Sequence, residues 1–399
     1  MTHSIQKRTI ILACLIISVG QLSMGLVMPS LPWIAKDFNI NLDQAQLLVS
    51  VYLLGFGPSQ FLYGPISDAL GRKKVLLCGL LIAVSGLSVV IACQASFSGM
   101  VLGRFLQGLG TGCCAVLARA STRDRYNGAD LPLAMSYIAM VASITPLFAP
   151  VIGGFINAHF GWSMVFVSLL GYVLFAWVII AFRFEESVQH KSRVPSVKAM
   201  AKQYSSLIRS SYFMSFASIG WLNFSLMITT VSVMPFIMQD QIGMSSDQYA
   251  LWALIPALGM LIGTSTCNRF RPRIGTRKML MFTPVLHLCS AVWFFFCPNE
   301  PLFLMIGQLL MILGNGIALP CAQAMVMLPY KKQAGAAAAM SGGGQMIVSS
   351  LLSMALVQMG LSQVWHLSLV IVVFAGITFT NIRRGFRVEQ PNSAIGEAA

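Results

Sequence analysis

The chain has 399 residues, 56% of them hydrophobic and 10% charged, and its mean hydropathy is +0.76. Soluble domains carry about 25% charged residues, so this composition excludes an ordinary water-soluble fold. The net charge of +14 raises nucleic acid as a partner, but the basic residues are spread over many loops rather than gathered on one patch, which excludes that reading.

Apolar runs long enough to cross a bilayer occur at 9–29, 45–66, 75–94, 97–118, 131–156, 162–182, 212–237, 248–267, 278–297, 301–326, 334–358 and 363–382. The first follows Lys7 and Arg8 as a secretory signal would. It lacks a small-residue cleavage site and continues through Met28, so it reads as a first spanning helix. The expectation is an all-α integral membrane protein with twelve transmembrane helices. Placing both termini in the cytoplasm puts 24 of the 26 Lys and Arg residues in cytoplasmic segments, with Lys36 outside and Arg104 within a span. That bias follows the positive-inside rule.

The long interior connection divides the chain into a six-helix bundle at 1–183, a basic cytoplasmic linker at 184–210, and a second six-helix bundle with a short cytoplasmic tail at 211–399. The halves echo each other. Gly71-Arg72-Lys73-Lys74 matches Gly275-Thr276-Arg277-Lys278, and Leu109-Gly110-Thr111-Gly112 matches Leu313-Gly314-Asn315-Gly316, both at an offset of 204 residues. A weaker echo pairs Gly161-Trp162 with Val364-Trp365. Two such matches suggest pseudo-symmetric parallel repeats.

Three clusters within the spans carry chemistry. After the second run stands Gly64-x-x-x-Asp68-x-x-Gly71-Arg72-Lys73-Lys74. Gly64 permits close helix approach, Gly71 permits a turn of positive φ, and Asp68 can accept charge-assisted hydrogen bonds. A basic loop that fixes topology explains the cations but not Asp68. In the fourth run, Arg104, Gln107, Gly108 and Thr111 share one face by 3–4 spacing, in the motif Arg104-x-x-Gln107-Gly108-x-Gly110-x-Gly112. Arg104 lies about 10 Å below the outer face. Such a cation either faces a cavity or partner, or snorkels to the interface. In the fifth run, Ala149-Pro150-Val151-Ile152-Gly153-Gly154 combines a helix-kinking proline with paired glycines that admit a neighbour.

On these motifs the chain resembles the major facilitator superfamily, and within it the 12-helix drug:proton antiporters that include the bicyclomycin and chloramphenicol exporters. The resemblance covers essentially the whole chain. It implies two bundles that rock about a central cavity. It implies an inner gate latch at Gly64, Asp68, Gly71 and Arg72, with the acid facing helix 11 and Arg72 facing Asp124 at the end of helix 4. Arg104, with Asp68, is implied in proton coupling, and Gln107, Gly108, Gly112, Pro150, Gly153 and Gly154 in helix packing. Ala149 departs from the glycine usual in the antiporter motif. In the second half, Asn268 and Pro272 replace Gly64 and Asp68, so a second latch is weak.

Candidate substrate-binding residues are Gln21, Met24 and Met28 on the first span, Tyr52 and Phe56 on the second, and Trp221, Asn223 and Phe224 on the seventh. Met-rich and aromatic walls suit loose recognition of apolar molecules, though a stripe of that kind can equally face lipid. His287 reads as packed against neighbours. None of the twelve acids falls in the middle of a span. The nine cysteines lack metal-ligand spacing, so neither a metal nor any other cofactor is expected, and the proton gradient stands as the energy source. No catalytic constellation of a membrane enzyme is evident. The reading is a monomeric bacterial inner-membrane exporter of small hydrophobic or amphipathic drugs in exchange for protons. An uncoupled facilitator for a metabolite would share the fold.

Overall fold

A computed structural model describes residues 7–126, 130–188, 196–330, 333–361 and 363–388. Among the described residues, twelve helices are long and apolar enough to cross a membrane. They are α1 Lys7–Gly25, α2 Leu42–Leu70, α3 Arg72–Ala92, α4 Phe97–Arg125, α5 Asp130–Phe160, α6 Trp162–Arg183, α7 Ser211–Phe236, α8 Leu254–Ile274, α9 Thr276–Phe296, α10 Pro301–Met327, α11 Ala334–Gln358 and α12 Val364–Gly385. The described chain contains no strand, as bilayer physics requires: a segment without water must satisfy its own backbone, and a helix does so internally.

The helix starts have local causes. The side-chain hydroxyl of Ser96 accepts the Gly99 N–H at 3.3 Å ahead of α4, and that of Ser210 accepts the Phe213 N–H at 3.2 Å ahead of α7. Prolines 58 and 65 in α2, 146 and 150 in α5, and 284 in α9 sit inside helices. Membrane helices tolerate them because neighbours re-satisfy the freed carbonyls. Along α9, Phe282, Val285, Leu288, Val292 and Phe295 form an exposed apolar stripe that water would penalise and acyl chains solvate.

Several boundaries differ from the sequence reading. The first stretch continues past Gly25 through a 3-10 turn at Met28–Ser30 and a short helix at Leu31–Asp37. α4 runs on to Arg125 and α8 to Ile274, carrying Arg119, Arg123, Arg269, Arg271 and Arg273 as helical residues. Arginine is a good helix former, so a hydropathy boundary is not a helix boundary. The linker contains a further helix, Val197–Arg209, begun by the Ser196 hydroxyl accepting the Ala199 N–H at 3.2 Å. The linker cations Lys191 and Arg193, and Lys331 and Lys332 before α11, lie outside the described residues.

The chain forms two compact units, one of residues 1–195 with 245–250, the other of 196–244 with 251–399. In the first, α4 packs on α2 and α3, α1 on α5, and α3 on α6. In the second, α10 packs on α8 and α9, α7 on α11, and α9 on α12, the same scheme six helices later. The 204-residue offset survives in side-chain detail. A methyl at Gly110 would meet Ala83 and one at Gly112 would meet Ser59, while Gly314 faces His287 and Gly316 faces Gly263.

Candidate functional site

Arg104 sits on α4 inside the first unit and is 1% exposed. Its Nε donates to the Leu48 carbonyl at 3.1 Å, and its Nη1 donates to the Ser23 carbonyl at 3.1 Å and to Gln107 Oε1 at 2.6 Å. The guanidinium lies 4.4 Å from the centroid of the Tyr52 ring. This settles the choice left open by the sequence, since a snorkelling cation would reach water. Placing an arginine at such a depth costs several kcal/mol unless it is compensated. Three charge-assisted bonds of about 1.5–3 kcal/mol each and the ring face are of the size needed to offset it. A fixed cation in a water-poor interior sets the local potential for any charge that approaches.

Tyr52 also supports this arrangement. Its hydroxyl donates to the Gly20 carbonyl at 3.2 Å and pairs with Thr111 Oγ1 at 3.0 Å. Phe56 lies 5.8 Å away, ring to ring. Both aromatics are buried among α1, α2 and α4. They are thus placed with the Arg104 network, not on an open wall as the substrate reading supposed.

At one end of the same unit, an ion cluster joins α2, α3, α4 and the chain leaving α6. Arg72, itself 5% exposed, meets Asp68 at 2.5 Å and Asp124 at 3.0 Å. Its Nη1 also donates to Ser67 Oγ at 2.5 Å. The latch partners named from the sequence are therefore brought together, and the described ion pair of Asp68 is with Arg72. Gly71 has φ +105°, in the range that favours glycine, and a side chain there would strike the Glu186 carboxylate. Gly64 departs from expectation. A methyl at Gly64 would find its nearest neighbour, Val116 Cγ1, at an ordinary 3.8 Å, so tight packing is not what the position requires.

The sequence reading missed Glu186. Its carboxylate accepts the backbone N–H of Arg72 at 2.8 Å and of Lys73 at 3.2 Å, capping the first turn of α3. Ser187 Oγ donates to Asp124 Oδ2 at 3.1 Å, and Glu185 pairs with Arg8 at 3.3 Å and Arg125 at 3.5 Å. Burial alone would raise the Glu186 carboxyl. Four backbone N–H bonds, from Val188, Arg72, Lys73 and Ser187, outweigh it and hold the group below its ordinary value. The available signal was an acid pair ending the sixth apolar run.

The packing motifs are close contacts within the unit. A side chain at Gly108 would meet the Tyr52 backbone, and one at Gly112 the Phe56 carbonyl and Ser59. Gly153 faces the Leu26 backbone, while Gly154 faces Ser246 and Ala250 of the short segment that groups with this unit. Pro150 stands beside Ala149, whose methyl lies against Gly25.

The remaining substrate candidates divide between the two units. Gln21 and Met24 are half-buried on α1, whereas Met28 is buried beyond the helix in the 3-10 turn, so the three do not form one helical face. α1 ends at Gly25, and Pro29 and Pro32 stand in the first turns of the two short segments that follow. In the second unit, Trp221 Nε1 donates to the Ser341 carbonyl at 2.9 Å. Asn223 Nδ2 donates to the Ile219 carbonyl at 2.7 Å and to Thr378 at 3.4 Å, while Phe224 is half-buried. His287 Nε2 bonds Asn315 Oδ1 at 3.1 Å, which makes it a packed histidine. No cluster of three or more metal-ligating side chains occurs among the described residues.

With this geometry in view, the sequence model for the Major Facilitator Superfamily matches residues 13–234 and 216–394. The chain belongs to the major facilitator superfamily. It is a multi-pass membrane transporter and not an enzyme. Multidrug resistance protein D of Escherichia coli (strain K12) is 28% identical over 357 residues, covering 86% of this chain and 87% of that protein. An uncharacterised MFS-type transporter, YdgK of Bacillus subtilis (strain 168), is 28% identical over 345 residues, covering 84% and 85%. Among solved structures, the human organic anion transporter MFSD10 superposes with TM-score 0.71 at 15% identity, covering 96% of this chain and all of that one. A D-xylose-proton symporter superposes with TM-score 0.71 at 15% identity, covering 95% and 98%. At that identity the structural likenesses speak to the fold of this transporter alone.

Proposed function

We propose that this transporter exports small hydrophobic or amphipathic toxic compounds from the cytoplasm of a bacterium, as a monomer in the inner membrane, exchanging them for protons by alternating access. The observation that carries the reading is the buried Arg104, bonded to α1, α2 and its own helix inside the first unit. An unproductive cation in such a place is selected against by its desolvation cost. The relatives named for multidrug resistance support drugs as the substrate class. Both termini and the Arg72 cluster face the cytoplasm in this reading, following the distribution of Lys and Arg.

Drug accumulation in inverted vesicles, measured with and without a proton gradient, tests it. Gradient-dependent accumulation is expected, and accumulation unchanged by collapse of the gradient overturns proton exchange. One observation favours the alternative of a facilitator: no described carboxylate lies in the middle of a span. Asp43 opens α2, Asp68 and Asp124 close α2 and α4, and Asp130 opens α5. In the antiport reading, the proton is handled at the Asp68–Arg72–Asp124 cluster, with Arg104 setting the field within the bundle.

A further inference from the structure

Each unit, taken by itself, balances charge differently near the linker, where α6 closes the first and α7 opens the second. In the first unit, the cations Arg8, Arg72 and Arg125 meet Asp68, Asp124 and Glu185 in direct ion pairs. In the second, the linker helix Val197–Arg209 and the adjoining turns of α8, α9 and α12 carry exposed cations, and no Asp or Glu stands among the described residues there. These segments share one end. Arg384 Nη2 reaches Ser211 Oγ at 3.5 Å, the Arg277 guanidinium lies 5.9 Å from the Phe386 ring, and the Tyr330 hydroxyl donates to Ser210 at 2.7 Å.

The linker helix has three distinct sides. Leu207 is fully buried and Tyr204 packs against the same core cluster, so one side is docked on the unit. Lys198, Lys202 and Arg209, at spacings of four and seven, form one exposed stripe roughly opposite. Between them lies an exposed apolar flank of Ala201 and Ile208, the latter 49% exposed. A helix with an apolar flank beside a basic stripe lies at the boundary between acyl chains and headgroups. The neighbouring surface agrees, since exposed Phe270 and Ile274 of α8 sit among Arg269 and Arg273.

We propose that the linker helix, together with Arg277 and Lys278, is a binding surface for anionic phospholipid headgroups of the leaflet at this end. Lys198, Lys202 and Arg209 meet the phosphates, and Ile208 enters the acyl boundary. The complementarity is one of sign and form: a cluster of cations with no carboxylate among the described residues of these segments faces phosphates that carry the opposite charge, and guanidinium forks fit phosphate oxygens. The apolar flank favours a bilayer over an acidic protein or a free anion. The proposal rests on membrane embedding and not on exchange of drugs for protons.

The test is native mass spectrometry of the full chain released from bilayers of equal phosphatidylglycerol and phosphatidylcholine. Several-fold preferential retention of phosphatidylglycerol is expected. In a variant combining Lys198→Gln, Lys202→Gln and Arg209→Gln, retention should fall to near parity. Arg123→Gln, an exposed cation of the first unit, should retain the preference, and thermal melting of all three proteins checks folding. Equal retention of both lipids by the unaltered chain overturns the proposal, as does an unchanged preference in the triple variant. Loss of preference in Arg123→Gln also overturns it, by showing a response to total charge. Displacement of the lipid by inorganic phosphate at equal phosphate concentration overturns it in favour of a simple anion site. Should the triple variant fail to fold, Ile208→Ser in the same bilayers decides: weakened retention sustains the lipid surface, and unchanged retention sinks it. Failure of gradient-driven efflux would leave these readouts untouched, so the two readings fail separately.

Discussion

The Arg104 guanidinium stacks on the Tyr52 ring at 4.4 Å, while the Tyr52 hydroxyl is itself tied to Thr111 at 3.0 Å. Cation, ring and hydroxyl therefore act as one unit. Tyr52→Phe keeps the ring and should lower stability by about 1 kcal/mol, the worth of an ordinary hydrogen bond. Tyr52→Ala, which also removes the ring, should cost about 3–5 kcal/mol. Unfolding in detergent measures both, and equal losses would count against the ring's part.

Arg104→Lys is expected to lose gradient-dependent transport while retaining drug binding. A lysine ammonium cannot span the separate acceptors Leu48, Ser23 and Gln107 in the planar geometry of a guanidinium. Equilibrium binding of a fluorescent drug, read beside transport, separates the two effects. Normal transport in Arg104→Lys would show that charge alone suffices.

The two carboxylates on Arg72 should behave differently. Asp124 holds both Arg72 and Ser187 and is 22% exposed at its side chain, so Asp124→Asn is expected to cost about 1–3 kcal/mol. Asp68 is 47% exposed, so Asp68→Asn should cost less than about 1 kcal/mol after screening by water. Efflux nevertheless should fail in Asp68→Asn with membrane levels intact, because the expected role of that carboxylate is in gating. Unchanged efflux in that variant removes the gate from the argument.

Glu186 gives a pH dependence of known sign. Its folded value lies below the ordinary 4.5, so its contribution is fully present above that value and lost as pH falls through the lower folded value. Acid unfolding of the native chain should be steeper below about pH 4.5 than that of Glu186→Gln, which has no charge to lose. Parallel acid profiles would exclude a capping role.

The glycines make a contrast. Gly108→Ala should overpack against the Tyr52 backbone and cost about 1–3 kcal/mol. Gly64→Ala has room, with its nearest neighbour at 3.8 Å, and is expected to be neutral or stabilising by up to about 1 kcal/mol through helix propensity. Thermal melting of the pair decides.

Much of the fold was legible in the sequence because a bilayer imposes a single length scale on apolar runs. The ends were not, because helices such as α4 and α8 continue through arginines that hydropathy counts as loop. The linker helix does leave a signal in the sequence: Met200, Tyr204 and Leu207 recur at helical spacing within a basic stretch. At the site, Arg104 and the Asp68–Arg72–Asp124 set stood out as charges in apolar surroundings. Glu186 did not, because its partner Arg72 is 114 residues away along the chain. The burial of Tyr52 against Arg104 is not legible in the sequence, since periodicity gives a direction from the helix axis but not what waits there.

Two of the three acceptors gripping Arg104 are peptide oxygens, those of Leu48 in α2 and Ser23 in α1. Replacing neighbouring side chains cannot abolish them. Only a slide of one helix along another, or loss of the arginine itself, can break these two bonds, so this cation works as a gauge of helix register.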